Sequence, residues 1–510
     1  MNLSRMLIRN ALVGGGARLF TLLVGLVITP YLLARLGMDR FGIWALLGVV
    51  TGLVALGDFS FKTSLIRHLA GAWAKGDRQS VRAFASSGLF FCLANALLLG
   101  ALLWWNTDRL LDLLNIPLIH RSEARLTFAF GVAAQLTTIG LAIFPALCDA
   151  RQRLDITNGL GMVSLVLGAA LTVAAVESGF GLPGVALAQL AATLIFFLTS
   201  LLATRRLFGP LGLSPRAVRA RTLRTLLGFG MTLHLSTVCG IINQQFDKFL
   251  LIRWTGLGWV GSYELALKWV GNAGSLQPFL AAALLPAGSH LAATGDMDGL
   301  RAIYRKAYRY LFLVGLPPFF FLAVHAEAIM RVWLGHADHR AASLLVLLSA
   351  GYAANSLSNG MAYVCQGVGR PDIQAAQSFV QLLLNVGLSA VLFLLIGPLG
   401  AAVGTSLSLL AGAALFVVFF HRHLAISSGS LLRETALTPF LASLAAAAIS
   451  RFALAWLEQS DRWLALAGLA GSGLLFLAVY LGICLAGGQV TLSDLARLRA
   501  LWPRMEGRTR

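Results

Sequence analysis

Residues 148–156 read CDARQRLDI and residues 365–373 read CQGVGRPDI, so a cysteine followed by Arg-x-Asp-Ile returns at one spacing, 217 positions later. Each copy ends one long apolar run and begins another, as a short polar turn between two helices would. Two further stations repeat in the same order. Gly184-Val185-Ala186 returns as Gly400-Ala401-Ala402, and Gly37, Phe41-Gly42 and Trp44 return as Gly256, Val260-Gly261 and Tyr263, at offsets of 216 and 219. Three stations in one order predict an internal duplication. Six apolar runs separate the copies, so both enter a membrane in the same direction, which gives a parallel repeat about an axis along the membrane normal.

The runs themselves set the class. A segment crossing a hydrocarbon layer of roughly 30 Å needs about 20 apolar residues and must bond its backbone internally as a helix. Between Ala11 and Leu485 the chain offers about fourteen such runs, spans two, four, seven and eight falling near Phe41–Leu65, Leu126–Leu147, Leu226–Ile252 and Trp259–Leu285. With 58% hydrophobic residues, 12% charged and mean hydropathy +0.78, the composition agrees with an all-α polytopic membrane protein. The expected organisation is an N-terminal six-helix lobe over 1–204, a basic cytoplasmic linker over 205–225 and a C-terminal six-helix lobe over 226–421. Two further helices over 422–486 and a basic tail over 487–510, read as a surface-lying segment, complete it. The first run is too long for a secretory signal and is expected to be retained.

A net charge of +19 invites a nucleic-acid reading, but position between spans decides better than the sum. Lys and Arg in alternate loops outnumber those in the others by about three to one, which by the positive-inside rule places both termini in the cytoplasm. The Arg205, Arg206, Arg216, Arg219, Arg221, Arg224 series then serves topology and contact with anionic membrane lipids, and no nucleic-acid partner is expected. All five cysteines lie in or beside apolar runs without metal-ligand spacing, so they read as packing residues and no metal or other cofactor is expected. No outward loop exceeds roughly 20 residues, which leaves no room for an external catalytic domain.

Polar residues inside the spans are therefore the candidates for function. Span seven places Ser236, Gly240, Asn243 and Asp247 along one face, with Gln244 and Lys248 beside it, and span eight places Glu264, Lys268, Asn272 and Ser275 along another. These faces are able to meet. Arg18 sits about two turns into span one, and Asp58 with Lys62 is an i, i+4 pair expected near the cytoplasmic end of span two. Each has a structural alternative: Asp58 with Lys62 as a snorkelling pair, Asp247 with Lys248 as an interfacial anchor, and Glu264 as a neutralising neighbour of Lys268. Lys268, deepest in its span, is the leading site candidate. His234 reads as a packing residue, and Trp104, Trp105, Trp254 and Trp259 as an interfacial belt.

The opening pattern of Asn10, Pro30, Leu36-Gly37, Phe41-Gly42-Ile43-Trp44 and Asp58-Phe59-Ser60 resembles the polysaccharide transporter family, the Wzx-type flippases of the multidrug/oligosaccharidyl-lipid/polysaccharide (MOP) superfamily. Asp247-Lys248, Gly261 with Tyr263 and Gly367, Gly369-Arg370-Pro371 resemble it too, across the twelve repeated helices. The resemblance implies a two-lobed bundle like that of the multidrug and toxin extrusion (MATE) transporters. It further implies translocation, without enzymatic turnover, of an undecaprenyl-pyrophosphate-linked oligosaccharide across a bacterial inner membrane for O-antigen, capsule or exopolysaccharide. Coupling to protons, Na+ or membrane potential, and polysaccharide polymerase and chain-length regulator partners, belong to the same implication. A small-molecule exporter of the MATE branch shares such a core but favours an acidic or aromatic cavity, whereas the span charges here include Arg18, Lys248 and Lys268. A membrane-embedded polymerase or ligase lacks the outward loop it needs.

Overall fold

A computed structural model of the chain describes residues 3–209, 212–275, 277, 281, 284–455 and 462–489. These residues are overwhelmingly helical, with no strand among them, and the chain divides into two compact units, Met1–Glu264 and Leu265–Arg510. The basic tail expected to lie on the membrane surface falls, from residue 490 onward, outside the described residues.

The first unit holds α1 (Leu3–Leu36), α2 (Met38–Ala55), α3 (Phe61–Ala74), α4 (Arg78–Trp105), the short α5 (Thr107–Leu113), α6 (Arg121–Gly140), α7 (Ile143–Ala150), α8 (Leu154–Glu177), α9 (Gly181–Phe208) and α10 (Ala220–Trp254). Helix α11 (Leu257–Gly274) begins in the first unit and runs on into the sequence of the second. Then come α12 (Leu284–Thr294), α13 (Met297–Val324), α14 (Ala326–Leu334), α15 (His339–Gly367), α16 (Pro371–Ile396), α17 (Pro398–Leu424), α18 (Ser428–Thr435), α19 (Leu437–Ala455) and α20 (Arg462–Ala486).

Among the described residues, ten helical segments are long and apolar enough to cross a membrane, or twelve if each of two bent pairs is one span. Helices α10 and α11 occupy the expected spans seven and eight but are not among these twelve. In α11 the reason is compositional, since Glu264, Lys268 and Asn272 fall within one short helix. Expected spans two and four are broken within the described residues. Span four turns through 42° between α6 and α7, and span two is interrupted between α2 and α3 by a 3-10 turn and the left-handed residues Phe59 and Ser60.

Inside a bilayer the apolar effect gives little preference for helix over lipid, so the elements are held by close packing and by polar contacts between helices. In the first unit Phe61, Leu65 and Leu69 of α3 pack with Ile143 and Leu147 of α7 and Leu226 of α10. In the second, Phe476, Tyr480 and Cys484 of α20 pack with Ala442, Ala446 and Ala447 of α19. Helix α8, whose apolar window is only 11% buried, lies at the rim of its unit, whereas α15 at 61% is the central helix of the other. All five cysteines are free and buried, as packing residues should be. Trp104 and Trp105, at the end of α4, are 79% and 85% exposed.

The repeated stations have repeated geometry. At the end of α7 the Arg153 amide donates to the Cys148 carbonyl at 3.0 Å and the Arg153 Nε to Asp155 Oδ1 at 3.0 Å. At the end of α15 the Arg370 amide donates to the Cys365 carbonyl at 3.0 Å and the Arg370 Nε to Asp372 Oδ1 at 2.9 Å. Gly37 and Gly256, at φ of 84° and 97°, open α2 and α11 in a conformation that a side chain would strain. One turn on, Gly42 of α2 lies against Leu257 and Gly261 of α11 lies against Met38, a reciprocal contact in which each repeat position meets the counterpart of its own neighbour. A Cβ at Gly42 would collide with the Leu257 carbonyl, and one at Gly261 would force the Met38 side chain aside.

Candidate functional site

Two clusters of polar side chains stand inside the first unit. In the first, α10 and α11 meet at Asp247, Lys248, Tyr263 and Glu264, while the Gly42 and Gly261 contacts hold α11 against α2. Lys248 Nζ lies 3.1 Å from Glu264 Oε2, and the Tyr263 hydroxyl donates to Asp247 Oδ2. Asp247 and Lys248 are 1% and 4% exposed, so the interfacial-anchor alternative fails: an anchor keeps its charged head in water. Glu264 is the partner of Lys248 rather than of Lys268, because Glu264 and Lys248 face each other from packed helices. Gly48 of α2 lies beside this ammonium, where a Cβ would stand 3.5 Å from Nζ, in ordinary contact.

Lys268 is half-buried, and no carboxylate pairs with it among the described residues. Asn243 and Asn272 are also half-buried, and Gln244 is exposed. Asn243 Oδ1 is enclosed and accepts no hydrogen bond among the described residues. His234 packs its ring against Phe59 at 5.2 Å, a packing contact as expected.

The second cluster surrounds a cavity of about 420 Å³ between α1, α3, α7, α8 and α9. Arg18 and Thr21 of α1, Lys62 of α3, Asp149 of α7 and Thr157 and Asn158 of α8 supply its polar lining. Lys62 Nζ lies 3.3 Å from Asp149 Oδ2, and the Thr157 hydroxyl donates to Asp149 Oδ1 at 2.7 Å. Asp58 and Lys62 do not form the expected helical pair. The chain leaves the helix at Phe59 and Ser60, which removes the i, i+4 relation and turns Lys62 toward α7. Arg18 has no carboxylate partner among the described residues, so two cations face one acid, itself held by Lys62 and Thr157. A site with excess positive charge and hydroxyl and amide donors is suited to phosphate oxygens.

Asp149 was not singled out from sequence, and Tyr263 was read there as a repeat position and part of the resemblance but not as a site residue. Asp149 directly follows the repeated Cys148, where the second copy has the neutral Gln366, and that difference between copies is the signal that marks it. Tyr263 stands where the first copy has Trp44.

A profile of the polysaccharide biosynthesis protein family matches residues 32–342, more than half of the chain. The chain belongs to that family. A relative named a putative O-antigen transporter, from Shigella flexneri, is 20% identical over 78% of this chain and 94% of its own length. Among solved structures, the lipid II flippase MurJ in an inward closed conformation superposes with a TM-score of 0.73 at 13% identity, covering 93% of this chain and 98% of its own. An inward-facing multidrug resistance MATE transporter of the MOP superfamily gives 0.70 at 16% identity, covering 83% and 99%. At these identities the likeness is one of fold. This member of the polysaccharide biosynthesis family is a multi-pass membrane protein with the MATE and MurJ type of fold. Its named relatives and neighbours are transporters and flippases, not enzymes, as the lack of an outward catalytic loop led us to expect.

Proposed function

We propose that the chain is a flippase that carries an undecaprenyl-pyrophosphate-linked oligosaccharide from the cytoplasmic to the outer leaflet of a bacterial inner membrane, for O-antigen, capsule or exopolysaccharide assembly. The observation that carries this reading is the 420 Å³ cavity with Arg18 and Lys62 against the single carboxylate of Asp149. Taking a pyrophosphate through an apolar layer is prohibitive unless cations and donors replace its water, whereas the polyprenyl tail is at home in lipid. Membership of a polysaccharide biosynthesis family and a relative named for O-antigen transport support the same substrate class.

In this reading the chain has fourteen spans with cytoplasmic termini, and two six-helix repeats, over 1–204 and 226–421, move against each other in alternating access, driven by protons, Na+ or membrane potential. The matched helix turns at Cys148 and Cys365 and the reciprocal Gly42 and Gly261 contacts support the duplication. The polymerase and chain-length regulator are the natural partners of such a protein, since they consume the outward-facing product.

The test is the sidedness of lipid-linked oligosaccharide in cells lacking the protein, read with a periplasmic enzyme that labels only outward-facing glycan. Unlabelled precursor that becomes labelled on restoring the wild-type gene, and stays unlabelled with Arg18→Ala, supports the proposal. Fully labelled precursor in the deletion strain rejects it in favour of a polymerase or ligase, and no accumulation rejects it in favour of a small-molecule exporter.

A further inference from the structure

A second cavity in the first unit, of about 190 Å³, carries a different chemistry. Helix α2 contributes Trp44, Gly48 and Thr51 at i, i+4 and i+7. Helix α6 adds Gln135 and Thr138, α9 adds Gln189 and Thr193 one turn apart, and Glu264 stands at the edge. Thr138 and Gln189 are exposed in the described chain, and Trp44, Thr51, Gln135, Thr193 and Glu264 are half-buried. They stand within apolar runs, where an amide without a partner is costly.

The inventory of donors and acceptors is one-sided. Thr51, Thr138 and Thr193 each donate the hydroxyl proton to a carbonyl of their own helix, at 2.9, 3.0 and 2.8 Å, which leaves the oxygens as acceptors. Glu264 gives Oε2 to Lys248 and keeps Oε1 as a further acceptor. The side-chain amides of Gln135 and Gln189 bond to no protein group among the described residues, so each offers an oxygen and an NH2 to the cavity. Trp44 adds an aromatic face and one N–H. A ligand that fits must bring many O–H donors, accept a few hydrogen bonds and present an apolar ring face. An anion does not fit, because the nearest cation, Lys248, is already neutralised by Glu264. A cationic drug does not fit either, because that same ion pair removes the negative charge it would seek.

We infer that this cavity is a subsite for one neutral or weakly polar sugar residue of the transported glycan, separate from the Arg18 and Lys62 cavity that takes the phosphates. The inference rests on the flippase reading and adds recognition of the glycan itself. Its volume admits a single ring, so selection falls on one residue of the oligosaccharide and leaves the remainder unread.

The test compares two probes on purified protein in nanodiscs: undecaprenyl pyrophosphate, and the undecaprenyl-pyrophosphate-linked oligosaccharide extracted from the deletion strain. Wild-type protein is expected to bind the glycan-bearing lipid on the order of tenfold to a hundredfold more tightly than the bare one, the yield of one or two well-placed hydrogen bonds. Gln135→Leu with Gln189→Leu is expected to erase that advantage while binding bare undecaprenyl pyrophosphate as the wild type does, which also reports an intact fold. Trp44→Phe, which keeps a ring face, is expected to retain most of it. An undiminished advantage in the double variant, or equal affinity of wild type for both lipids, overturns the sugar subsite and leaves the flippase reading standing. Failure of wild type to prefer either pyrophosphate over undecaprenol overturns the flippase reading itself.

Discussion

Removing the carboxylate of Glu264 tests the structural logic of the α10 and α11 pair most directly. The Lys248 side chain is 5% exposed and that of Glu264 21%, with 3.1 Å between Nζ and Oε2, so the ammonium depends on this partner far more than the carboxylate does. Leaving a buried charge without its partner costs about 3–5 kcal/mol, against about 0–1 kcal/mol for a solvent-exposed pair. Glu264→Leu strands the ammonium and is expected to fall in the first range. Lys248→Met strands a carboxylate that opens onto the 190 Å³ cavity and can be hydrated there, so the expected loss is about 1.5–3 kcal/mol, the worth of a charged hydrogen bond. The combination Lys248→Met with Glu264→Leu removes both charges and is expected to be more stable than Glu264→Leu alone. At roughly 2–4 °C per kcal/mol, Glu264→Leu lowers the apparent unfolding midpoint by roughly 6–20 °C, read from tryptophan fluorescence of protein purified in detergent. The reasoning is refuted if Glu264→Leu melts with the wild type, or if the double variant loses the sum of the two single losses.

Three further outcomes are expected. Gly42→Leu drives a side chain into the Leu257 backbone and is expected to abolish recovery of monodisperse protein, whereas Gly25→Ala, with nothing within 4 Å of the new Cβ, leaves the chromatographic profile unchanged. Lys268→Ala removes a half-buried cation that no carboxylate among the described residues neutralises, and it is expected to stop glycan export at normal expression; full periplasmic labelling in that strain takes Lys268 out of the transport path. Asp77 caps α4, and hydrogen bonds from the Ser80 hydroxyl and amide hold its carboxyl below the usual range. Its contribution is therefore full at neutral pH and lost as pH falls through the folded-state value, so Asp77→Ala is expected to flatten the acid limb of stability measured from pH 7 down to pH 3.

What the sequence determined by itself was the class and the punctuation. Apolar runs long enough to cross a bilayer admit only helices, so the described residues are overwhelmingly helical, and Gly37, Gly256 and the Cys-to-Ile turns mark where helices begin and end. Polar positions at helical spacing placed Asp247 and Glu264 on faces that meet, because a 3.6-residue period is a property of the chain alone. Gln135, Thr138, Gln189 and Thr193 stand at spacings of three and four within apolar runs but were not singled out from sequence, and only their convergence gives them meaning.

Partner choice belonged to the tertiary structure. Within one helix Glu264 has Lys268 at i+4 and Lys62 has Asp58 at i−4, yet the ion pairs formed are Glu264 with Lys248 and Lys62 with Asp149. Local spacing offers such a pair a few tenths of a kcal/mol, whereas a buried charge brought between helices must find its counter-charge there at a stake of several kcal/mol. The break at Phe59 and Ser60 and the bend between α6 and α7 then turn Lys62 and Asp149 into the cavity that Arg18 lines. A sequence lists which charges are buried, and the packing of one helix on another decides which of them neutralise each other and which stay available to a ligand.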